Sequence, residues 1–246
     1  MGRETAIQKV EWTQEGWLRL TDGGQCPSLK VPAPDLPEHT FTAEAARDDF
    51  NTDELNINFQ YLRVDPGEEF ISLKKRKGFL RLHGAESLSS LHRQTLVARR
   101  QQAYCYTAST CVEFEPINFQ QMAGLICYYD TRNYYYLHVT FDEERGKVLR
   151  IMQSVGGENS YPFTEMIDLP KAQSCFLRAQ VIYDKLYFSY SKDAVSWTRI
   201  GSALDAATLS DEFDVGGAGA HFTGAFVGLA CQDISGQRLH ADFDWF

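Results

Sequence analysis

Between Gly124 and Trp197 the chain repeats one pattern: an apolar and aromatic run, a short polar turn, then another run. Leu125–Tyr129 (LICYY) meets the turn Asp130–Asn133 (DTRN) and continues as Tyr134–Phe141 (YYYLHVTF). Asp142–Gly146 (DEERG) leads into Lys147–Ser154 (KVLRIMQS), and Gly156-Gly157 turns again. Phe176–Tyr183, the turn Asp184-Lys185, Leu186–Ser191 and the hairpin text SKDAVSWT (Ser191–Thr198) repeat the plan. Strand side chains alternate between faces, and polar turn residues at this spacing close hairpins. So many short turns predict an all-β antiparallel sandwich. Leu96–Arg100, Cys105–Phe114, Phe226–Gln232 and Leu239–Phe246 read as further strands, and Lys74–Leu82 as a strand around Gly78. Lys74–Lys77 reads as a solvated basic turn. Only Leu204–Ser210 suggests a helical turn, and without α/β alternation a doubly wound or barrel α/β fold is excluded.

The flanking text is different. Residues 1–20 hold apolar residues without a helical stripe and predict short strand and turn. Residues 21–40 carry four prolines and two glycines, an extended segment, since proline fixes φ and removes a donor. The expected organisation is a terminal piece at 1–20, a linker at 21–43 and one large sandwich at 44–246. A net charge of −9 argues against nucleic acid and anionic membranes, both of which need a cationic footprint. No apolar run reaches 18 residues and the first residues lack a signal-peptide core, so the expected location is cytoplasmic. The six cysteines form no C-x-x-C pair and read as reduced thiols; a Cys105–Cys111 bridge is the alternative for an oxidising compartment.

Catalytic signatures are missing: no G-x-S-x-G, H-E-x-x-H or P-loop occurs, and the histidines are scattered. His138 lies on a strand and is expected to be packed. The stretch Gly216–Gly228 (GGAGAHFTGAFVG) stands out, with five glycines and two phenylalanines in thirteen positions. It reads either as an ordinary turn with both rings in the core or as a functional loop on a rigid scaffold. Within it, His221 beside Phe222 is the site candidate. Two carboxylate groups are also notable: Asp48-Asp49 and Asp242/Asp244, the latter placed on one face by strict alternation. Asp49 and Asp244 would offer the hard oxygen ligands of a structural calcium; the competing reading is a solvated outer face. A glycosidase acid–base pair among these carboxylates is a further option.

Several motifs together resemble one family. Gly2–Trp12 (GRETAIQKVEW), with Gly16-Trp17, resembles the end of the catalytic five-bladed β-propeller of glycoside hydrolase family 43 β-xylosidases. RDDFN (47–51), GLICYYDTRNYYYLHVT (124–140), YDKLYFSYSKDAVSW (183–197), GAHFTGAFVGL (219–229) and ADFDWF (241–246) are similar to the C-terminal domain of the same enzymes. The resemblance implies a concanavalin A-like, jelly-roll type sandwich, joined to a catalytic propeller domain. It implies xylan 1,4-β-xylosidase activity, sometimes with α-L-arabinofuranosidase activity, on short xylo-oligosaccharides, no required cofactor, and often a homo-oligomer. The inverting reaction is carried in the family by three propeller carboxylates, all upstream of this chain, so no catalytic residue is assigned here and the chain alone is expected to be inactive. By motif, Arg3 matches the family's substrate-binding arginine. Phe222 matches an aromatic that reaches across to close the active-site pocket, which calls for an exposed ring; Phe226 is assigned to the core. The second reading is a stand-alone carbohydrate-binding module using Tyr128, Tyr134 and Tyr136 on a sheet face.

Overall fold

The computed structural model describes residues 5–63, 65, 67–213 and 222–246. The chain divides into two compact units, one ending at Ala45 and the other spanning Ala46–Phe246. In the first, Val10–Trp12 and Leu18–Leu20 pair as a small antiparallel hairpin, with Trp12 opposite Leu18. Its aromatic side chains stay open: Trp12 is 72 % and Trp17 67 % exposed. Residues 21–45 carry no strand.

The second unit is a two-sheet sandwich. One sheet runs Glu158–Ser160, Gly146–Val155, Asn133–Asp142, Gln121–Asp130, Phe226–Asp233, Thr95–Arg100, Phe59–Tyr61, with Ile167–Asp168 also on Gly146–Val155. The other runs Thr198–Asp205, Lys185–Ser191, Cys175–Ile182, Cys105–Glu113, His240–Trp245, Leu80–His83, Ile71–Ser72. Every pairing of these strands is antiparallel. Three of the hairpin turns share one device, an aspartate whose side chain bonds the backbone just ahead of it. Asp130 Oδ1 accepts from the amides of Arg132 and Asn133, both at 2.8 Å. Asp142 Oδ1 accepts from Glu144 and Arg145. Asp193 Oδ1 accepts from Val195 and Ser196, and these amides hold its carboxyl down to about 2. The helical turn falls at Ala206–Leu209, capped by Asp205.

Between the sheets lies the main core. Cys175–Ile182 alternates as the sequence predicts, burying Cys175, Leu177, Ala179 and Val181 against Leu125, Leu137, Phe188, Leu229 and Phe243. Fully burying such a side chain is worth roughly 1.5–3 kcal/mol. The central strands of the first sheet do not alternate, because both of their faces are covered. A second apolar layer gathers Leu88, Leu96, Ile126, Tyr128, Tyr134, Tyr136 and Met152. The segment carrying Leu88 seals it: the Leu88 amide donates to Gln232 Oε1 and its carbonyl accepts from Gln94 Nε2. Tyr136 donates to the Ala230 carbonyl at 2.8 Å. This corrects the reading of Tyr128, Tyr134 and Tyr136 as a sugar-binding face: all three are buried and offer no ring to a ligand.

The cysteines are free thiols as expected, and two other expectations change. Cys105 and Cys111 sit six residues apart on one strand, roughly 20 Å, so they do not bridge; Cys111 is buried and both are free thiols. The basic turn at Lys74–Lys77 is not simply solvated, because Arg76 reaches Glu113 at 2.6 Å and Asp242 at 2.9 Å. Arg81 grips the same buried Asp242 with two bonds of 2.7 Å. Finally, the period-2 register breaks at a bulge between Phe243 and Trp245, so alternation does not carry from Asp242 to Asp244.

Candidate functional site

The Gly-rich stretch enters the first sheet through Phe226, which pairs with Tyr128 on one side and Arg100 on the other. Gly228 follows opposite Ala98, where a Cβ would lie 2.2 Å from the Val97 carbonyl oxygen. Only glycine lets the strands approach this closely. Just upstream, Gly224 takes φ +71°, and its amide donates to Asp211 Oδ1 at 3.3 Å. The same oxygen accepts from the Tyr129 hydroxyl at 2.6 Å. Burial, and then the bond to Asp211, push the Tyr129 phenol up to about 12, so it stays a protonated donor at neutral pH. The Arg100 guanidinium donates to the Thr223 carbonyl and lies 4.6 Å from the centre of the Phe226 ring. The Gln101 amide donates to the Ala225 carbonyl at 2.9 Å.

These bonds fix Thr223–Phe226, and Phe222 stands immediately before them, 63 % exposed. Phe226 is half-buried against the second apolar layer. The two rings of one short segment therefore separate, one outward and one onto the sheet. His221 and Arg3 lie outside the described residues.

Beside this anchor opens a cleft of about 690 Å³, lined by Arg47, Arg99, Arg100, Gln101, Tyr106 and Trp245 among others. Arg100 belongs to both features, holding Thr223 and lining the cleft. The Arg47 guanidinium lies 4.5 Å over the Trp245 ring and pairs with Asp49. Guanidinium and amide donors beside an aromatic face suit a polar, ring-shaped or acidic partner surface. No Asp or Glu lines the cleft, so its described residues supply no acid–base pair. Asp48 is also engaged, accepting the Phe50 amide at 2.9 Å. Among the described residues no group of three or more His, Cys, Asp or Glu side chains is arranged to hold a metal ion.

Sequence reasoning missed Arg99, Arg100 and Trp245. LVARR reads as the end of a strand, which it is, but nothing in it says that the strand ends at a cleft. The bulge that frees Trp245 from alternation has no glycine to announce it.

Residues 47–246 match the family model described as the beta xylosidase C-terminal concanavalin A-like domain. Over the whole chain it is 44 % identical to a beta-xylosidase of Bacillus subtilis, of which it covers 46 %, and 37 % identical to xylosidase/arabinosidase 43B of Humicola insolens, again covering 46 %. A crystal structure of xylan beta-1,4-xylosidase from Bacillus halodurans superposes with a TM-score of 0.95 at 43 % identity, over 99 % of this chain and 46 % of that one. The chain thus spans about half the length of these relatives. It belongs to the family of β-xylosidase C-terminal concanavalin A-like domains.

Proposed function

We propose that this chain is the accessory half of a β-xylosidase, inert alone, which closes the active site of a catalytic propeller domain around short xylo-oligosaccharides. The exposed Phe222 ring on a rigidly anchored segment carries the reading. An apolar ring held out on a fixed stem is suited to covering a sugar bound to another surface. The Arg47–Arg99–Arg100 cleft beside it gives that surface a polar docking partner. Matches to β-xylosidases over the whole chain, covering 46 % of each, support a partner domain of comparable size. The exposed Trp12 and Trp17 hairpin fits the end of such a propeller, an apolar surface made to be covered. The catalytic carboxylates are assigned to the propeller, in keeping with a cleft that none lines.

The test is turnover of a chromogenic β-xyloside. The purified chain should be inert, and activity should appear when it is joined to the propeller half. Hydrolysis by the chain alone overturns the reading.

A further inference from the structure

A second candidate site lies at the far end of the first sheet. Phe226 pairs with Tyr128, which pairs with Tyr134; from Tyr134 the strand runs eight residues to Asp142, roughly 26 Å from the Phe222 segment. There a groove of about 320 Å³ is lined by Phe119, Asp142, Glu143, Glu144, Arg150 and Tyr161 among others. That is the small end of the range for ligand clefts, about 300–1,000 Å³.

Its composition is specific. Phe119 is 58 % and Tyr161 43 % exposed, two aromatic rings on one groove. The Arg150 guanidinium lies 3.4 Å from the centre of the Tyr161 ring, while its Nε is buried with no hydrogen-bond partner. Directly across the ladder from Arg150, His138 Nε2 is buried and equally unpartnered. Orphaned buried polar atoms are rare in folded proteins, and here one belongs to a residue lining an open groove. Aromatic faces stack on the C–H faces of sugar rings, and a guanidinium beside carboxylates serves hydroxyl groups as donor and acceptor. The carboxylates of Asp142, Glu143 and Glu144 repel an anionic chain, which leaves a neutral one.

We propose that this groove binds a short stretch of a neutral β-linked pentose chain as a non-catalytic second site, holding polymer while the distant Phe222 end serves the reaction. The groove rests on its own geometry; the choice of xylose units rests on the function proposed above. The experiment is a calorimetric titration of this chain with xylohexaose, with cellohexaose in parallel. The chain should bind xylohexaose at millimolar sugar, Tyr161→Ala should weaken binding at least tenfold, and Tyr161→Phe should stay within twofold of the parent. Tyr183→Ala, at an exposed ring on a hairpin of the other sheet, should bind unchanged, which separates this groove from exposed aromatic surface in general. Absence of heat with both sugars, or equal binding by Tyr161→Ala, overturns the site. Binding of cellohexaose alone overturns the pentose assignment. None of these results bears on whether the chain is inert alone, which turnover reads separately.

Discussion

Mild acid should destabilise this chain through one buried imidazole. His138 is fully buried at the centre of the first sheet, stacked on Tyr136 with ring centres 4.9 Å apart. Its Nδ1 meets the Tyr136 carbonyl at 3.1 Å and its Nε2 has no partner. Burial lowers its pKa; the Tyr136 carbonyl opposes the shift and the Arg150 charge adds to it, leaving the ring at about 4 against 6.5 when free. Between these values the unfolded chain binds a proton that the folded chain refuses, so stability is full above about 6.5 and falls as pH drops toward 4. At 1.36 kcal/mol per unit, the loss at pH 5 is about 2 kcal/mol, with a ceiling of about 3 kcal/mol below pH 4. Urea unfolding of the parent and His138→Leu at pH 7.5 and 5.0 measures it. Carboxylates titrate in both proteins and cancel in the comparison, so the stability gap between the two should shift by about 2 kcal/mol in favour of the leucine variant at pH 5.0. An unchanged gap would refute the reasoning.

Two further outcomes follow from burial and pairing. Burial raises the pKa of the Asp242 carboxyl, but hydrogen bonds from Arg81 and Arg76 outweigh it and hold the group below its ordinary range. Asp242→Ala should cost about 3 kcal/mol at neutral pH, measured by chemical unfolding, because it leaves the Arg81 guanidinium without its carboxylate and Arg76 with Glu113 alone; the contribution is lost as acid protonates the carboxyl through its lowered folded-state value. A cost below about 1 kcal/mol would reduce this network to an ordinary surface pair. Of the six thiols, Cys26 and Cys105 are exposed and four are buried, with burial pushing Cys175 up to about 12 and Cys111 up to about 11. A thiol reagent should label two sites in the native chain and the rest only on denaturation; rapid labelling of four or more would contradict the packing.

The sandwich was largely legible because its signals are local. Turn aspartates at 130, 142 and 193 announce their own hydrogen bonds, and the alternation of Cys175–Ile182 states which face is inward. What was illegible is long-range. YYYLHV reads the same whether its outer face meets water or a second apolar layer, and only the fold brings Leu88 over Tyr134 and Tyr136. Likewise Asp242 reads as a surface carboxylate until Arg76 and Arg81 converge on it from more than 150 positions away. At the candidate site, glycine spacing and the family resemblance singled out Phe222. The arginine that anchors its stem, Arg100, belongs to a strand distant in sequence, and no spacing rule reaches that far.

The central claim is that Phe222 serves an active site on another domain, and kinetics of the complete two-domain enzyme test it most directly. Phe222→Ala should lower kcat/KM for xylobiose about tenfold, the worth of one lost stacking contact of roughly 1.4 kcal/mol, with thermal stability unchanged because the ring is exposed. Unaltered kcat/KM in a stable Phe222→Ala enzyme would contradict the account and return Gly216–Gly228 to the role of an ordinary turn.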